Sequence, residues 1–192
     1  MSGVTVSDDG VVTGNTYDKY GSTNPVVRRL MARFQRDLDE LFELASPRSL
    51  LDVGCGEGML VQRWAQRIGD GRVVGIDLEE ESIQAGWAEH AAPNLEYRIV
   101  SAVEVLEHVP DPQLTLTEMA RCSSAHLLVS VPREPLWRML NVARGAYVRD
   151  LGNTPGHLNH FSARAFVQLL AHHGDVVAVR SPFPWTMVLV RV

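Results

Sequence analysis

Two groups of residues in this chain have the types and spacing to do chemistry. In the run SLLDVGCGEGML, Ser49 to Leu60, three glycines (Gly54, Gly56 and Gly58) alternate between the acids Asp52 and Glu57, and Asp77 follows 21 positions after Gly56. A strand that turns through glycines into a helix brings backbone N–H groups close to a ligand, and an acid at the end of the next strand can accept hydrogen bonds from ribose hydroxyls. Together they describe a nucleoside site. The second group is EVLEHV, which sets Glu104, Glu107 and His108 within five residues, with His157 and His160 later in GHLNHFS.

The glycine spacing is G-x-G-x-G rather than the dinucleotide G-x-G-x-x-G, and Asp52 and Glu57 would repel a diphosphate lying over the turn. The same acids suit a ligand that carries an ammonium and a sulfonium, which is the description of S-adenosylmethionine (SAM). A turn that only tightens strand–helix packing is the plain alternative, and Asp77 at the ribose position weighs against it. In the second group, two carboxylates and an imidazole can supply one side of an octahedral site for a divalent ion such as magnesium. Such an ion would hold an acceptor hydroxyl and lower its pKa. Without an ion, Glu107 and His108 cap the following loop, and His108 is the general-base candidate, since imidazoles ordinarily titrate near pH 6.5.

These residues need a scaffold, and the hydrophobic pattern predicts one. Asn24 caps and Pro25 opens an amphipathic helix carrying Val27, Leu30, Met31, Phe34, Leu38, Leu41 and Phe42, which ends before Pro47. Strand SLLDVG, helix GMLVQRWAQRI, strand RVVGIDL, helix EESIQAGWAEH and strand LEYRIV then alternate. That alternation predicts a parallel sheet covered on both faces. DPQLTLTEMARCS reads as a helix, AHLLVSVP as a buried strand and REPLWRMLNVARGAY as a helical lid within residues 133–150. A helix opened by Ser162 follows, and DVVAVR and WTMVLVRV read as the closing strands. Residues 1–16 have no period and read as flexible, and the whole chain reads as one domain.

With 192 residues, 45% of them hydrophobic, the chain can bury one substantial core. Its net charge of -5 disfavours an extended nucleic-acid surface, which leaves a small molecule as the expected partner. Cys55 and Cys122 fit neither a disulfide framework nor a zinc spacing. The start MSGVTVSDDG lacks the basic and apolar regions of a signal peptide, and no apolar run approaches a membrane span. The expected location is cytoplasmic, away from the membrane, with the oligomeric state undetermined.

LLDVGCGEGML, VVGIDLEEESI and SAVEVLEHVPDP together resemble successive motifs of the class I SAM-dependent methyltransferases, over about Tyr17 to Val192. The resemblance implies a Rossmann-like α/β fold, a seven-stranded, mostly parallel sheet with helices on both faces and an antiparallel last strand. It implies Gly54, Cys55 and Gly56 beneath the methionine part, Asp77 on the ribose and Leu78 beside the adenine, with Asp52, Gly58 and Glu104 completing the cofactor set. The product would be S-adenosylhomocysteine. The E-x-x-E-H segment also resembles that of ubiquinone-pathway O-methyltransferases and of small-RNA 2'-O-methyltransferases, in which a later His-x-x-His supplies a metal ligand. By that likeness Glu104, Glu107, His108 and His160 form the candidate metal set, while Tyr17, Tyr20, Arg133 and His157 are expected on the substrate side.

One stretch departs from the pattern. Neighbouring parallel strands need a crossover of a dozen or more residues, yet NLEYRIVSAVEVLEHV leaves almost no chain between the third and fourth strands. Either the chain is truncated here, or the sequence closes up over a disordered loop around Arg98 to Ser101; the difficulty of dispensing with a core strand favours the second. The expected activity is transfer of a methyl group from SAM to a small-molecule hydroxyl. A SAM-binding module without catalysis and an NAD-dependent reductase are the alternatives.

Overall fold

The computed structural model describes residues 5–6, 12–13, 22–77, 85, 88–99 and 104–192. A two-residue antiparallel ladder pairs Thr5–Val6 with Val12–Thr13. Helix α1 (Pro25–Ala45), strand β1 (Ser49–Val53), helix α2 (Met59–Ile68) and strands β2 (Arg72–Asp77) and β3 (Leu95–Ile99) follow. Next come α3 (Pro112–Cys122), β4 (His126–Pro132), α4 (Leu136–Ala143), α5 (Ala163–Leu170), β5 (Asp175–Arg180) and β6 (Trp185–Arg191). Read from the sequence as one domain, the chain resolves into two compact units, one of residues 45–105 and one of residues 1–44 with 106–192. Tyr17, Tyr20, Leu78 and the junction 100–103 lie outside the described residues.

In the first unit β1, β2 and β3 form a parallel sheet in that order, with Asp52 opposite Gly75 and Asp77 opposite Ile99. Helix α2 buries Val61, Trp64 and Ala65 and packs against β2, whose Val73 is fully buried. Asn94 joins the helix to the sheet: its Nδ2 donates to the carbonyls of Ala65, Gly69 and Gly71, which lie at the end of α2 and in the turn beyond. The expected helix after β2 is described only at Ala85, Ala88 and Glu89.

The second unit has its own sheet, in the order β4-β6-β5, with β6 antiparallel to both neighbours. Its core gathers Leu106, Leu116, Leu127, Val129, Val131, Phe166, Leu170, Val188 and Val190. Asn24 caps α1 as its type predicts, accepting from Val26 N at 2.9 Å, and Phe34 of α1 meets Trp185 edge-on at 5.0 Å. Asp111 and Ser162 cap α3 and α5 in the same way. Helix α4 is shorter than its apolar stripe predicts: it stops at Ala143, the chain turns at Gly145 with φ of 73°, and Val148–Asp150 form one turn of 3₁₀ helix.

The α/β class and the antiparallel last strand are as expected, whereas a single seven-stranded sheet is not seen among the described residues, which hold two three-stranded sheets. The reason is length. Only residues 100–103 separate Ile99, the end of β3, from Glu104, too few for a crossover and a further parallel strand. Among the described residues no helix is long and apolar enough to cross a membrane.

Close packing at the foot of the first sheet yields a direct prediction. A Cβ on Gly71 would stand 2.0 Å from the Arg48 carbonyl oxygen and 2.2 Å from Ile68 Cγ2. The backbone oxygen cannot swing aside, so Gly71→Ala is expected to destabilise the protein by roughly 1–3 kcal/mol, read as a lower midpoint in urea unfolding.

Candidate functional site

The unit of residues 45–105 carries the glycine-turn group and also Glu104, which the expected metal set joins to Glu107; the other unit carries Glu107, His108, His157 and His160. In the first, the turn after β1 folds back onto β2: the N–H groups of Gly54 and Cys55 both donate to Ile76 O, at 2.7 and 3.2 Å, and Gly58 N donates to Cys55 O at 3.0 Å. Gly56 N donates to Asp77 Oδ2 at 2.5 Å. Four of the five positions from Gly54 to Gly58, all but Glu57, therefore spend their N–H groups inside the protein. Gly54, Gly56 and Gly58 all have positive φ, as such a winding requires, and the space beside Gly56 is open, with nothing within 4 Å of a Cβ built there.

Beneath the turn lie two buried acids, Asp52 and Asp77, 6% and 8% exposed. Burial, and then the charge of Asp77, push the Asp52 carboxyl up from 3.8 to about 7. A second anion placed here would raise the electrostatic cost further, and a cation would relieve it. Together with the spent N–H groups, this disfavours a diphosphate and fits the ammonium and sulfonium of SAM. Asp77 also stands at the carboxyl end of its strand, where a ribose is met. Glu104 belongs to this unit and has a φ of 43°, an uncommon backbone for a residue with a side chain.

In the second unit, residues 106–109 are stitched to residues 156–159. Glu107 O accepts from both Leu158 N (2.7 Å) and Asn159 N (2.9 Å). Asn159 Nδ2 donates to Leu106 O and Val109 O at 3.0 and 2.6 Å. His108 Nδ1 lies 2.9 Å from Gly156 O, and a carbonyl can only accept, so the proton sits on Nδ1 and the lone pair of the neutral ring on Nε2. His157 approaches His108 edge-on, with centroids 4.8 Å apart and planes at 90°, and Trp137 stacks beyond it at 6.5 Å.

Glu107, His108 and His157 each present a ligand atom within 4.8 Å of the others. His157, expected on the substrate side, is thus the histidine that joins this group. His160 goes elsewhere: it is exposed and its Nε2 bonds Asn153 Oδ1 at 2.7 Å. Arg133 stands half-buried at the end of β4 with its N–H on Pro184 O. Sequence reasoning missed Asn159, Thr154, Asn141 and the place of Trp137. The dipeptide Pro155-Gly156, a turn signal next to His157, was the available clue.

The raised Asp52 carboxyl has a definite consequence for stability. The folded form holds this proton up to about pH 7 while an unfolded aspartate loses it near pH 4, so the group makes the fold progressively less stable as pH rises across that window. Asp52→Asn removes the ionisation. Its stability relative to the parent is expected to improve by roughly 2 kcal/mol on going from pH 5 to pH 8, measured by urea melts at both pH values. A difference independent of pH would contradict the assignment.

The match to a family model described as a methyltransferase domain covers residues 26–177. A ubiquinone biosynthesis O-methyltransferase of Aliivibrio fischeri is 34% identical over a segment covering 38% of this chain and 38% of that protein. One from Azoarcus is 28% identical, covering 66% of this chain and 67% of its own length. The chain thus spans about two-fifths of the first of these relatives. Among solved structures, a SAM-dependent methyltransferase from Mesorhizobium loti superposes with a TM-score of 0.61 at 16% identity, covering 83% of this chain and 98% of that one, and supports the fold. With the family match extending over most of its length, the chain belongs to the methyltransferase-domain family, of the class I SAM-dependent kind.

Proposed function

We propose that this protein moves a methyl group from SAM to a hydroxyl oxygen of a small molecule. The observation that carries the reading is the buried pair Asp52 and Asp77 beneath a glycine turn whose N–H groups are already spent. When bound, SAM supplies an electrophilic methyl group on a positively charged sulfur. Gly54, Cys55 and Gly56 would lie along its methionine part and Asp77 along its ribose, with Asp52 countering its charge. His108, with its lone pair on Nε2, would take the acceptor's proton. Arg133, beside the strand end, would meet a substrate carboxylate or phosphate. Oxygen as the acceptor is supported by E-x-x-E-H and by the names of the relatives; the substrate is expected to be a free metabolite rather than a nucleic acid or a lipid bilayer.

A second reading adds a divalent ion at Glu107, His108 and His157, favoured by the closeness of their ligand atoms. One carboxylate and two imidazoles form a donor set that suits zinc, manganese or iron better than magnesium, which prefers oxygen ligands. In that case His108 Nε2 would bind the metal, and the ion would acidify the acceptor hydroxyl.

Titration calorimetry with SAM, S-adenosylhomocysteine and NAD, beside a methyl-transfer assay on a panel of hydroxylated metabolites, tests the proposal. Tight NAD binding without SAM binding would overturn it. Because a cation favours the ionised form of Asp52, SAM binding is expected to release a proton, and its affinity should rise by about threefold or more from pH 6 to pH 8. S-Adenosylhomocysteine, lacking the sulfonium, should show a weaker rise, and Asp52→Asn should flatten both. His108→Ala is expected to lower kcat by roughly 100-fold while SAM affinity stays within twofold of the parent.

A further inference from the structure

Thr154-Pro155-Gly156-His157 is a single β-turn, closed by His157 N on Thr154 O at 3.1 Å. Proline at its second position and glycine at its third, with φ of 84°, make it type II. This turn touches both histidines of the cluster. Gly156 O fixes Nδ1 of His108, and His157 is the closing residue, its ring edge-on to that of His108. The opening residue is fastened to helix α4: Thr154 Oγ1 accepts from Trp137 Nε1 at 2.9 Å and from Asn141 Nδ2 at 3.1 Å. Asn141 Nδ2 donates again to Gly152 O at 2.8 Å, and Asn141 is 2% exposed.

We propose that Asn141 and Thr154 are positioning residues: by pinning this turn to α4 they hold the Gly156 carbonyl against His108 and so impose the Nδ1–H tautomer that turns the Nε2 lone pair to use. The meaning of that tautomer for methyl transfer rests on the function proposed above; the tautomer itself is a property of the protein alone. An unheld imidazole in water favours Nε2–H slightly, so something must select the other form, and a fixed carbonyl does so because it cannot donate. The carbonyl in turn is only as fixed as its turn. A valine at 154 keeps the shape of threonine but offers no oxygen, leaving an indole N–H and an amide N–H facing an apolar group in a dry place. The turn and the helix must then part, and the carbonyl moves with the turn. Serine keeps the oxygen and should keep the tautomer.

Nitrogen-15 spectra of labelled imidazoles at pH 8 read the His108 tautomer directly in the whole protein. The parent and Thr154→Ser are expected to show Nδ1–H; Thr154→Val and Asn141→Leu are expected to show mixed or Nε2–H signals. In the same two variants kcat should fall by about tenfold, with SAM affinity within twofold of the parent. If either variant fails to fold, Trp137→Phe, which removes one bond and keeps a ring, takes its place with a smaller shift in the same direction. Retention of a pure Nδ1–H signal in folded variants overturns the proposal, even if they are less stable. Should the parent show no methyl transfer to any acceptor, the proposed function fails, while the spectra still decide the role of the turn.

Discussion

Buried backbone polar groups must find partners, and the way this chain meets that demand builds both of its candidate clusters. At the glycine turn the donors are satisfied inward, by the Ile76 carbonyl and the Asp77 carboxylate, so the turn presents no row of N–H groups to a phosphate. At the histidine cluster the acceptors are the groups in need. The carbonyls of Leu106, Glu107, Val109 and Gly156 are met by the side chain and N–H of Asn159, the N–H of Leu158 and the ring of His108. In each case a residue with chemical potential is recruited as a hydrogen-bond partner, and its orientation follows from that duty.

Electrostatics then decides what the first cluster can welcome. Two buried, interacting carboxyls cannot both carry charge cheaply, and the Asp52 carboxyl is pushed up, by burial first and by the charge of Asp77 second. A positively charged ligand reverses the balance. The fold therefore carries one acid whose ionised form it disfavours, and such shifts cluster at functional sites.

The strands and helices were legible wherever hydrophobic period and capping residues agreed, as at α1 with Asn24 and Pro25 and at α5 with Ser162. The glycine turn was legible because glycine spacing and Asp77 are local signals. Helix α4 was overextended because its apolar stripe continues past Gly145, where the backbone turns away. The histidine cluster was legible only in part. E-x-x-E-H announced Glu107 and His108, but the choice of His157 over His160 depends on a turn clasped by Asn141 and Thr154, and on Asn153 capturing His160. Such long-range hydrogen bonds leave no periodic trace in the chain.

The stitching of residues 106–109 to 156–159 spans about fifty positions, and its bonds reward the chain only after that loop has closed. Contacts so distant in sequence form late, once local helices and neighbouring strands are in place. The meeting of the two histidine rings therefore carries a loop-closure cost that neither residue's local sequence can offset, and it depends on the intervening strands and helices being in place.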